Sequence, residues 1–400
     1  MTRTLIYIGA GALQLPAISW AKEQGLKVIV TDVNPHAPGI AIADGHEAVA
    51  GDDVNAITAL ACAIAGTGEL AGCYCGSDFG LPSVAAVGRV CGVPGPSPES
   101  VALALDKNAA RRVLGAHGLP IPPGASVDTP AELDAWARAE GYPVIVKPVD
   151  SSGSRGVRTL AGPADGNAAF AEARRHSSGV LVEKVVVGEH IDVNGLFADG
   201  AFHPCGQLVR YFSPPPHNYP VWGCEPSGLD TETEARVYAV VERGARALGI
   251  DAGPVKADVV VTAEGPVILE ISPRFHGDVS TSFVTPLATG RAAPAAWFAH
   301  LAGKPFEDLL PSDRHAAFAG WMGVFPDRPG AFEDLEGMDE ALAVPGIRKI
   351  SVLKKKGYRI DAVSDNLALL GFLWGVGETR EDLRETLQKA RRTLRTRMGA

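Results

Sequence analysis

Val255-Lys256-Ala257-Asp258-Val259-Val260-Val261-Thr262, then Ala263-Glu264-Gly265, then Pro266-Val267-Ile268-Leu269-Glu270-Ile271-Ser272-Pro273-Arg274, is the stretch on which the reading of this 400-residue chain turns. Two β-branched runs around three residues ending in glycine predict a hairpin with a type I turn and a left-handed glycine. A three-residue loop pairs Thr262 with Pro266, Val260 with Ile268 and Asp258 with Glu270. Strand alternation then sends Lys256, Asp258, Glu270, Ser272 and Arg274 to one face. Carboxylates opposed at about 5 Å repel in an empty sheet. A divalent cation between them removes that repulsion, and hard oxygen donors near phosphates favour Mg2+, with Mn2+ as the alternative. The competing reading is an ion-paired face in which Lys256 and Arg274 neutralise the acids.

Upstream lies Val144-Ile-Val-Lys147-Pro-Val-Asp-Ser151-Ser152-Gly153-Ser154-Arg155-Gly156-Val157. A strand delivers Lys147, and a run of small or polar residues follows. Glycine and serine let backbone N–H groups approach a polyphosphate closely, while Lys147 and Arg155 supply positive charge. The lysine precedes the glycines, so this is not the familiar phosphate loop that ends in Gly-Lys-Ser/Thr. Its alternative is a flexible hairpin with a surface lysine.

Working outward, the first hundred residues alternate strand and helix patterns, which predicts a parallel sheet. The expected elements are strands over 5–8, 27–31 and 72–75 and helices over 13–24, 54–65 and 81–91. Gly9-Ala-Gly11-Ala-Leu-Gln14 with Asp32 is an imperfect dinucleotide fingerprint, Gln14 replacing the third glycine. An NAD-dependent oxidoreductase is therefore a rival reading, and a non-catalytic nucleotide sensor another. Residues 100–115 predict one helix, and 131–140, 168–176, 231–248 and 292–302 further helices. Strands are expected over 144–149, 180–187, 255–261 and 350–353, with a charged terminal helix over 380–397. Residues 211–223 are too rich in proline for a regular element and read as a functional loop. There His217, Tyr219 and Trp222 are candidates to line an acceptor pocket, and His276 beside Arg274 is a candidate to touch substrate.

The net charge is −9 with a pI near 5.6. That acidity, without basic runs, argues against nucleic-acid and membrane-surface partners. No run reaches the roughly 18 apolar residues of a membrane span, and no signal peptide is read at the start. The six cysteines lack paired Cys-x-x-Cys spacing and read as reduced thiols. A cytoplasmic location is the expectation, with a homodimer as the default assembly.

In order and spacing these pieces resemble the ATP-grasp superfamily of carboxylate–amine ligases across nearly the whole chain. The matching pieces are Leu105-Asp-Lys107, the Lys147 strand with Ser151 to Gly156, Val182-Glu183-Lys184-Val185, Gly188-Glu189, Asp258, and Leu269-Glu-Ile-Ser-Pro-Arg274. The resemblance implies α/β and α+β architecture. It comprises a Rossmann-like N-terminal domain (1–100), nucleotide-binding lobes (101–290, with a lid over about 115–187) and a C-terminal α+β domain (291–400).

It also implies roles. Lys107 and Lys147 would contact the phosphates of ATP beneath a loop containing Ser152, Gly153, Ser154 and Gly156. Glu183 and the backbone of Lys184, Val185 and Val186 would meet the adenine, and Glu189 the ribose. Asp258, Glu270 and Ser272 would hold Mg2+, although the family usually has Asn at Ser272, whose shorter hydroxyl leaves room for water. Arg274 and Lys147 would be catalytic, Arg274 steadying the acyl-phosphate. The chain is similar to L-amino-acid ligases, which implies small-molecule carboxylate and amine substrates. Biotin-carboxylase-like and purine-pathway carboxylases share the layout and are the alternative within the superfamily.

Overall fold

A computed structural model describes residues 2–277, 280–306 and 318–399. The expected parallel sheet is present near the N-terminus. Its strands lie in the order Gly45–Glu47, Lys27–Thr31, Thr4–Ile8, Leu70–Cys75. Helices Leu15–Glu23, Val54–Ala65 and Leu81–Cys91 connect and flank these strands. Gly9 makes the turn after the first strand at φ +91°, a conformation that glycine adopts without strain. Asp32 closes this turn from beside it. One carboxylate oxygen accepts the Ala10 N–H at 2.9 Å and the other the Asn34 N–H at 2.8 Å. The acid that an NAD reading needs for a ribose is thus spent on backbone.

Residues 100–115, expected to be one helix, are parts of two: Pro98–Leu105 and Lys107–Ala116. Asp106 is the reason. Its backbone is extended, and its Oδ1 accepts the N–H groups of Asn108 and Ala109 at 2.9 and 3.0 Å. A short acidic side chain that caps the next helix competes with continuing the previous one. The break puts Lys107 at a helix start, with its own N–H on the Val149 carbonyl.

A small antiparallel sheet follows, in the order Gly124–Val127, Val180–Lys184, Val144–Pro148, Arg158–Leu160. Helices Pro130–Glu140 and Gly166–His176 cover one face through Leu133, Ala137, Phe170 and Ala173. Val144, Val146, Val180 and Val182 point into that core. By alternation Lys147 and Glu183 stand on the other face.

The largest sheet is antiparallel. Its order is Gly265–Ser272, Gly253–Thr262, Glu189–Ala198, Ala201–Phe212, Pro220–Glu225, Phe318–Val324, Gly371–Gly377, Ile347–Val352. Helices Thr231–Ala247 and Arg380–Thr393 cover one face with Val237, Val240, Val241, Leu383 and Leu387, against Ile191, Val193, Ala257, Val259, Ile268 and Ile271. Two expectations fail here. Residues 211–223 are not one loop: only 213–219 lie outside the strands, because Tyr211 and Phe212 end one strand and Pro220 begins the next, where a missing N–H is tolerated. The terminal helix stops at Thr393, because Leu394 turns extended. Arg395–Met398 then pairs with Gly330–Glu336, burying Leu394 and Met398.

Helix Ala293–Leu301 returns to the first sheet, where Phe298 meets Tyr7 and Tyr74 at centroid distances of 6.3 and 5.1 Å. Such aromatic contacts contribute about 1 kcal/mol each beyond area burial. Arg3 Nη1 also donates to the Leu301 carbonyl at 2.6 Å. The parallel sheet is thereby fixed against the later chain.

The cap at Asp106 is open to a direct check. Asp106→Ala should lower stability by about 1 kcal/mol, read as a reduced urea midpoint at unchanged slope.

Candidate active site

The hairpin pairs Asp258 with Glu270 as expected, by a different route. Thr262 pairs with Gly265, Val260 with Val267 and Val259 with Ile268, so the loop is two residues, Ala263 and Glu264. A bulge at Leu269 then restores the Asp258–Glu270 register. It also switches faces: Ile268 points to the helices and Glu270 to the opposite side. On the neighbouring strand Asp192 pairs with Asp258. Three carboxylates therefore line up across three adjacent strands.

Cations alternate with them. Arg210 contacts Asp192 and reaches Asp258 Oδ1 at 2.6 Å. Lys256 Nζ lies 3.3 Å from Asp258 Oδ2 and 2.5 Å from Glu270 Oε1. Lys107 Nζ is 3.8 Å from Glu270 Oε2 and donates to the Ser151 carbonyl at 2.7 Å. Burial pushes the Asp258 and Glu270 carboxyls up, but Lys256, with Arg210 or Lys107, outweighs it and holds both below the usual range. Asp192 goes the other way, pushed up to about 7 by burial and by the charge on Asp258, against the opposing pull of Arg210. Burial lowers the Lys107 ammonium, and Glu270 only partly offsets this.

Beside this row Arg274 makes a two-pronged ion pair with Asp78, Nε to Oδ1 and Nη2 to Oδ2, each 2.6 Å. Ser272 Oγ donates to Asp78 Oδ1 at 3.1 Å. Asp78 belongs to the short turn after strand Leu70–Cys75, so the N-terminal sheet reaches into the hairpin. Burial raises the Asp78 carboxyl, and Arg274 more than reverses this, holding it far below the usual range.

On the small sheet Lys147 Nζ sits 2.5 Å from Glu183 Oε2, while Arg111 Nη1 holds Oε1 at 2.6 Å. Glu183 is therefore the counter-ion of two cations rather than a free acceptor. The Lys184 N–H donates to the Pro123 carbonyl at 2.9 Å and the Val185 N–H to Pro143 at 3.3 Å, with Val186 half-buried beyond. In the glycine loop Gly153, Ser154 and Gly156 have φ of +70°, +61° and +71°. The Gly153 carbonyl accepts the Asn366 N–H at 3.3 Å, and Ser152 accepts Arg155 Nε at 3.0 Å. A Cβ at Gly156 would lie 2.8 Å from His176 and 2.9 Å from Pro148, so only glycine fits.

Some expected residues stand elsewhere. Glu189 is odd-numbered on a strand whose Asp192 faces the acid row, and its carboxylate meets Arg380 Nη1 at 3.0 Å beside Tyr211. It turns to the helix side, and alternation gives His190, not Glu189, the acid side. Ser272 gives its hydroxyl proton to Asp78 rather than standing between Asp258 and Glu270. His276 is buried, its N–H on Asn194 at 2.8 Å and its Nε2 near the Ala257 carbonyl at 3.1 Å. Burial drives it well below the usual histidine value, so it is neutral at pH 7. His217 bridges to Arg158 of the small sheet. Tyr219 and Trp222 line a cavity of about 570 Å³, and Trp222, paired with Tyr211, is on the helix side of the large sheet.

The family model of the ATP-grasp domain matches residues 140–282, and that of the L-amino acid ligase C-terminal domain 2 matches residues 323–399. An uncharacterized protein of Sinorhizobium fredii is 31% identical over 320 residues, 76% of this chain and 64% of that protein. A D-alanine–D-alanine ligase of Azoarcus sp. is 32% identical over 196 residues, 46% of this chain and 62% of the ligase. The matches span less than two thirds of these curated relatives. The L-amino acid ligase of Bacillus licheniformis superposes with a TM-score of 0.82 at 19% identity, covering 100% of this chain and 99% of that one. Residues 140–282 form an ATP-grasp domain.

An ATP-grasp site calls for a divalent metal, and two sets of side chains offer donors for it. Among the described residues Asp192, Asp258 and His276 offer ligand atoms within 4.8 Å of one another. That trio suits Mg2+ poorly, since Mg2+ prefers oxygen donors to an imidazole nitrogen. Asp258 and Glu270 fit better. They are hard carboxylates, 24% and 26% exposed, and already share a cation, the Lys256 ammonium. Asp78, Arg111, Asp192 and Arg210 are additions to the residues singled out from sequence. Asp78 had one usable signal, its place just past the carboxyl end of a parallel strand, where such sheets bind ligands.

Two outcomes follow from these charges. Glu183→Gln leaves Arg111 and Lys147 without their buried counter-ion and should cost about 3 kcal/mol in chemical denaturation. Asp78, Asp258 and Glu270 have folded-state values below their unfolded ones, which lie near 4. Their stabilisation is present above about pH 4 and is lost as pH falls through the folded values. Urea midpoints should fall with acid below about pH 4, and less steeply in Asp78→Asn.

Proposed function

We propose that the chain is an ATP- and Mg2+-dependent ligase. It activates a carboxylate as an acyl-phosphate and joins it to an amine, with an amino acid as a substrate, releasing ADP and phosphate. The observation that carries this reading is the Asp258–Glu270 pair, flanked by Lys107 and Lys256 below a glycine loop that Lys107 itself touches. ATP-grasp enzymes use ATP and Mg2+, and the C-terminal family match favours amino-acid substrates.

The chemistry is one of positioning and charge. A carboxylate is a poor electrophile, and taking the γ-phosphoryl group makes it one that an amine attacks. Mg2+, when bound by Asp258 and Glu270, would supply charge neutralisation at the phosphates. Lys256, freed from those acids, would turn its ammonium to the same anionic centre, and Lys107 and Lys147 would hold the phosphates. Arg274 would face the acyl-phosphate. The loop from Ser152 to Gly156 would exclude water, which otherwise hydrolyses the intermediate.

The proposed division of labour assigns 1–100 to the N-terminal domain, 101–290 to the nucleotide lobes with their lid at about 115–187, and 291–400 to the domain completing the site. A cytoplasmic location and a homodimer belong to the same proposal. Among the described residues no helix is long and apolar enough to cross a membrane.

The test is ADP release across pairs of amino acids and small carboxylates. Release that needs both a carboxylate and an amine supports the ligase. Release with bicarbonate alone favours the carboxylase alternative, and binding of ATP without turnover favours a sensor. Glu270→Gln should cut turnover at least about 100-fold while circular dichroism stays unchanged.

A further inference from the structure

We propose that Asp78 is a positioning residue of the ligase reaction: reaching in from the N-terminal sheet, it orients Arg274 so that its remaining N–H groups face the carboxylate being activated. The proposal rests on the ligase reading above.

A guanidinium carries five N–H donors in a rigid plane. Two of Arg274's go to the two oxygens of Asp78 at 2.6 Å each, and Nη1 gives one to the Phe275 carbonyl at 3.0 Å. Two N–H groups remain, and the bidentate pair fixes the plane in which they lie. Both partners are largely buried, Arg274 at 12% and Asp78 at 18% side-chain exposure, so water does not loosen the fork.

Ser272 adds a third point. Its hydroxyl donates to the same Asp78 oxygen that Arg274 Nε uses. The hairpin is thus pinned at two residues, one turn of pleat apart, to a side chain nearly 200 positions earlier. Asp78 itself is well anchored. The sheet that carries it is fixed by Tyr7, Tyr74 and Phe298 and by the Arg3 bond to Leu301. A catalytic group held within a fraction of an ångström needs such support, because a misplacement of about 1 Å costs on the order of 100-fold in rate.

The alternative is that Asp78–Arg274 is only a bridge between two parts of the fold. Kinetics on the full chain separates the two. Wild type, Asp78→Asn, Asp78→Glu, Arg274→Gln and the double variant Asp78→Asn/Arg274→Gln are compared on the carboxylate–amine pair with the strongest ADP release. Rates are scaled to the folded fraction, and binding of a non-hydrolysable ATP analogue is measured by calorimetry.

A positioning role predicts that Asp78→Asn lowers kcat by about 10- to 100-fold with KM for ATP and analogue affinity within about twofold. Asp78→Glu should recover part of the loss. The double variant should be no slower than Arg274→Gln alone, because Asp78 acts through that arginine. Unchanged kcat in Asp78→Asn, or a loss that multiplies with that of Arg274→Gln, overturns the proposal and leaves the ligase reading intact. If Asp78→Asn does not fold, the same two outcomes are read from Asp78→Glu and its double with Arg274→Gln. A wild type with no substrate-dependent ADP release sinks the ligase reading, and the role for Asp78 falls with it.

Discussion

Asp192, Asp258 and Glu270 occupy paired positions on three neighbouring strands, and their mutual repulsion is the constraint around which the molecule is arranged. At ladder spacing, carboxylates about 5 Å apart destabilise a sheet unless something positive stands between them. Arg210, Lys256 and Lys107 do so in turn, giving a row in which sign alternates from residue to residue. The row is costly to bury and would be a poor device for stability alone. Its value is that the cations are side chains on flexible stems, displaceable by a ligand that brings its own charges. On the proposed reading a polyphosphate with a divalent cation would be such a ligand: Asp258 and Glu270 would hold the cation, and the ammonium groups of Lys256 and Lys107 would turn to the phosphates.

The sequence made the hairpin's chemistry legible and its geometry only in part. The pairing of Asp258 with Glu270 was readable because both lie in β-branched runs around a short turn. The three-residue loop was not real. A two-residue loop moved the register by one and the bulge at Leu269 moved it back, so two shifts cancelled. A bulge has no pattern signature inside an apolar run such as Val267-Ile268-Leu269. The misplacement of Glu189 has the opposite origin. A Gly-Glu motif suggests a site residue, but which face it takes is set by the ladder to Asp258, and parity had to be counted from there.

Residues drawn from far apart explain most of what sequence could not supply. Asp78 and Arg274 are separated by 196 positions, Lys107 and Glu270 by more than 160, and Glu189 and Arg380 by 191. No periodicity connects such pairs; they meet because apolar packing brings their elements together. The break at Asp106 is an intermediate case. The Asp-Lys step sits inside a helical pattern, and only the capping strength of Asp106 over two N–H groups decides that a new helix begins. That local choice delivers Lys107 both to the glycine loop and to Glu270.

The glycine loop makes the same argument in backbone terms. Gly153, Ser154 and Gly156 all have positive φ, and Ser154 does so at a cost that glycine would avoid. Two contacts over-determine the segment: Lys107 on the Ser151 carbonyl and Asn366 on the Gly153 carbonyl. One comes from the helix before the small sheet, the other from the C-terminal region, so two distant parts of the chain hold the loop. Lys107 also faces Glu270, so its side chain joins loop and acid row directly. An ammonium carries three N–H donors, so Lys107 has one for the Ser151 carbonyl and others for Glu270 or for a phosphate in its place, and the loop and the acid row meet at a single charged group.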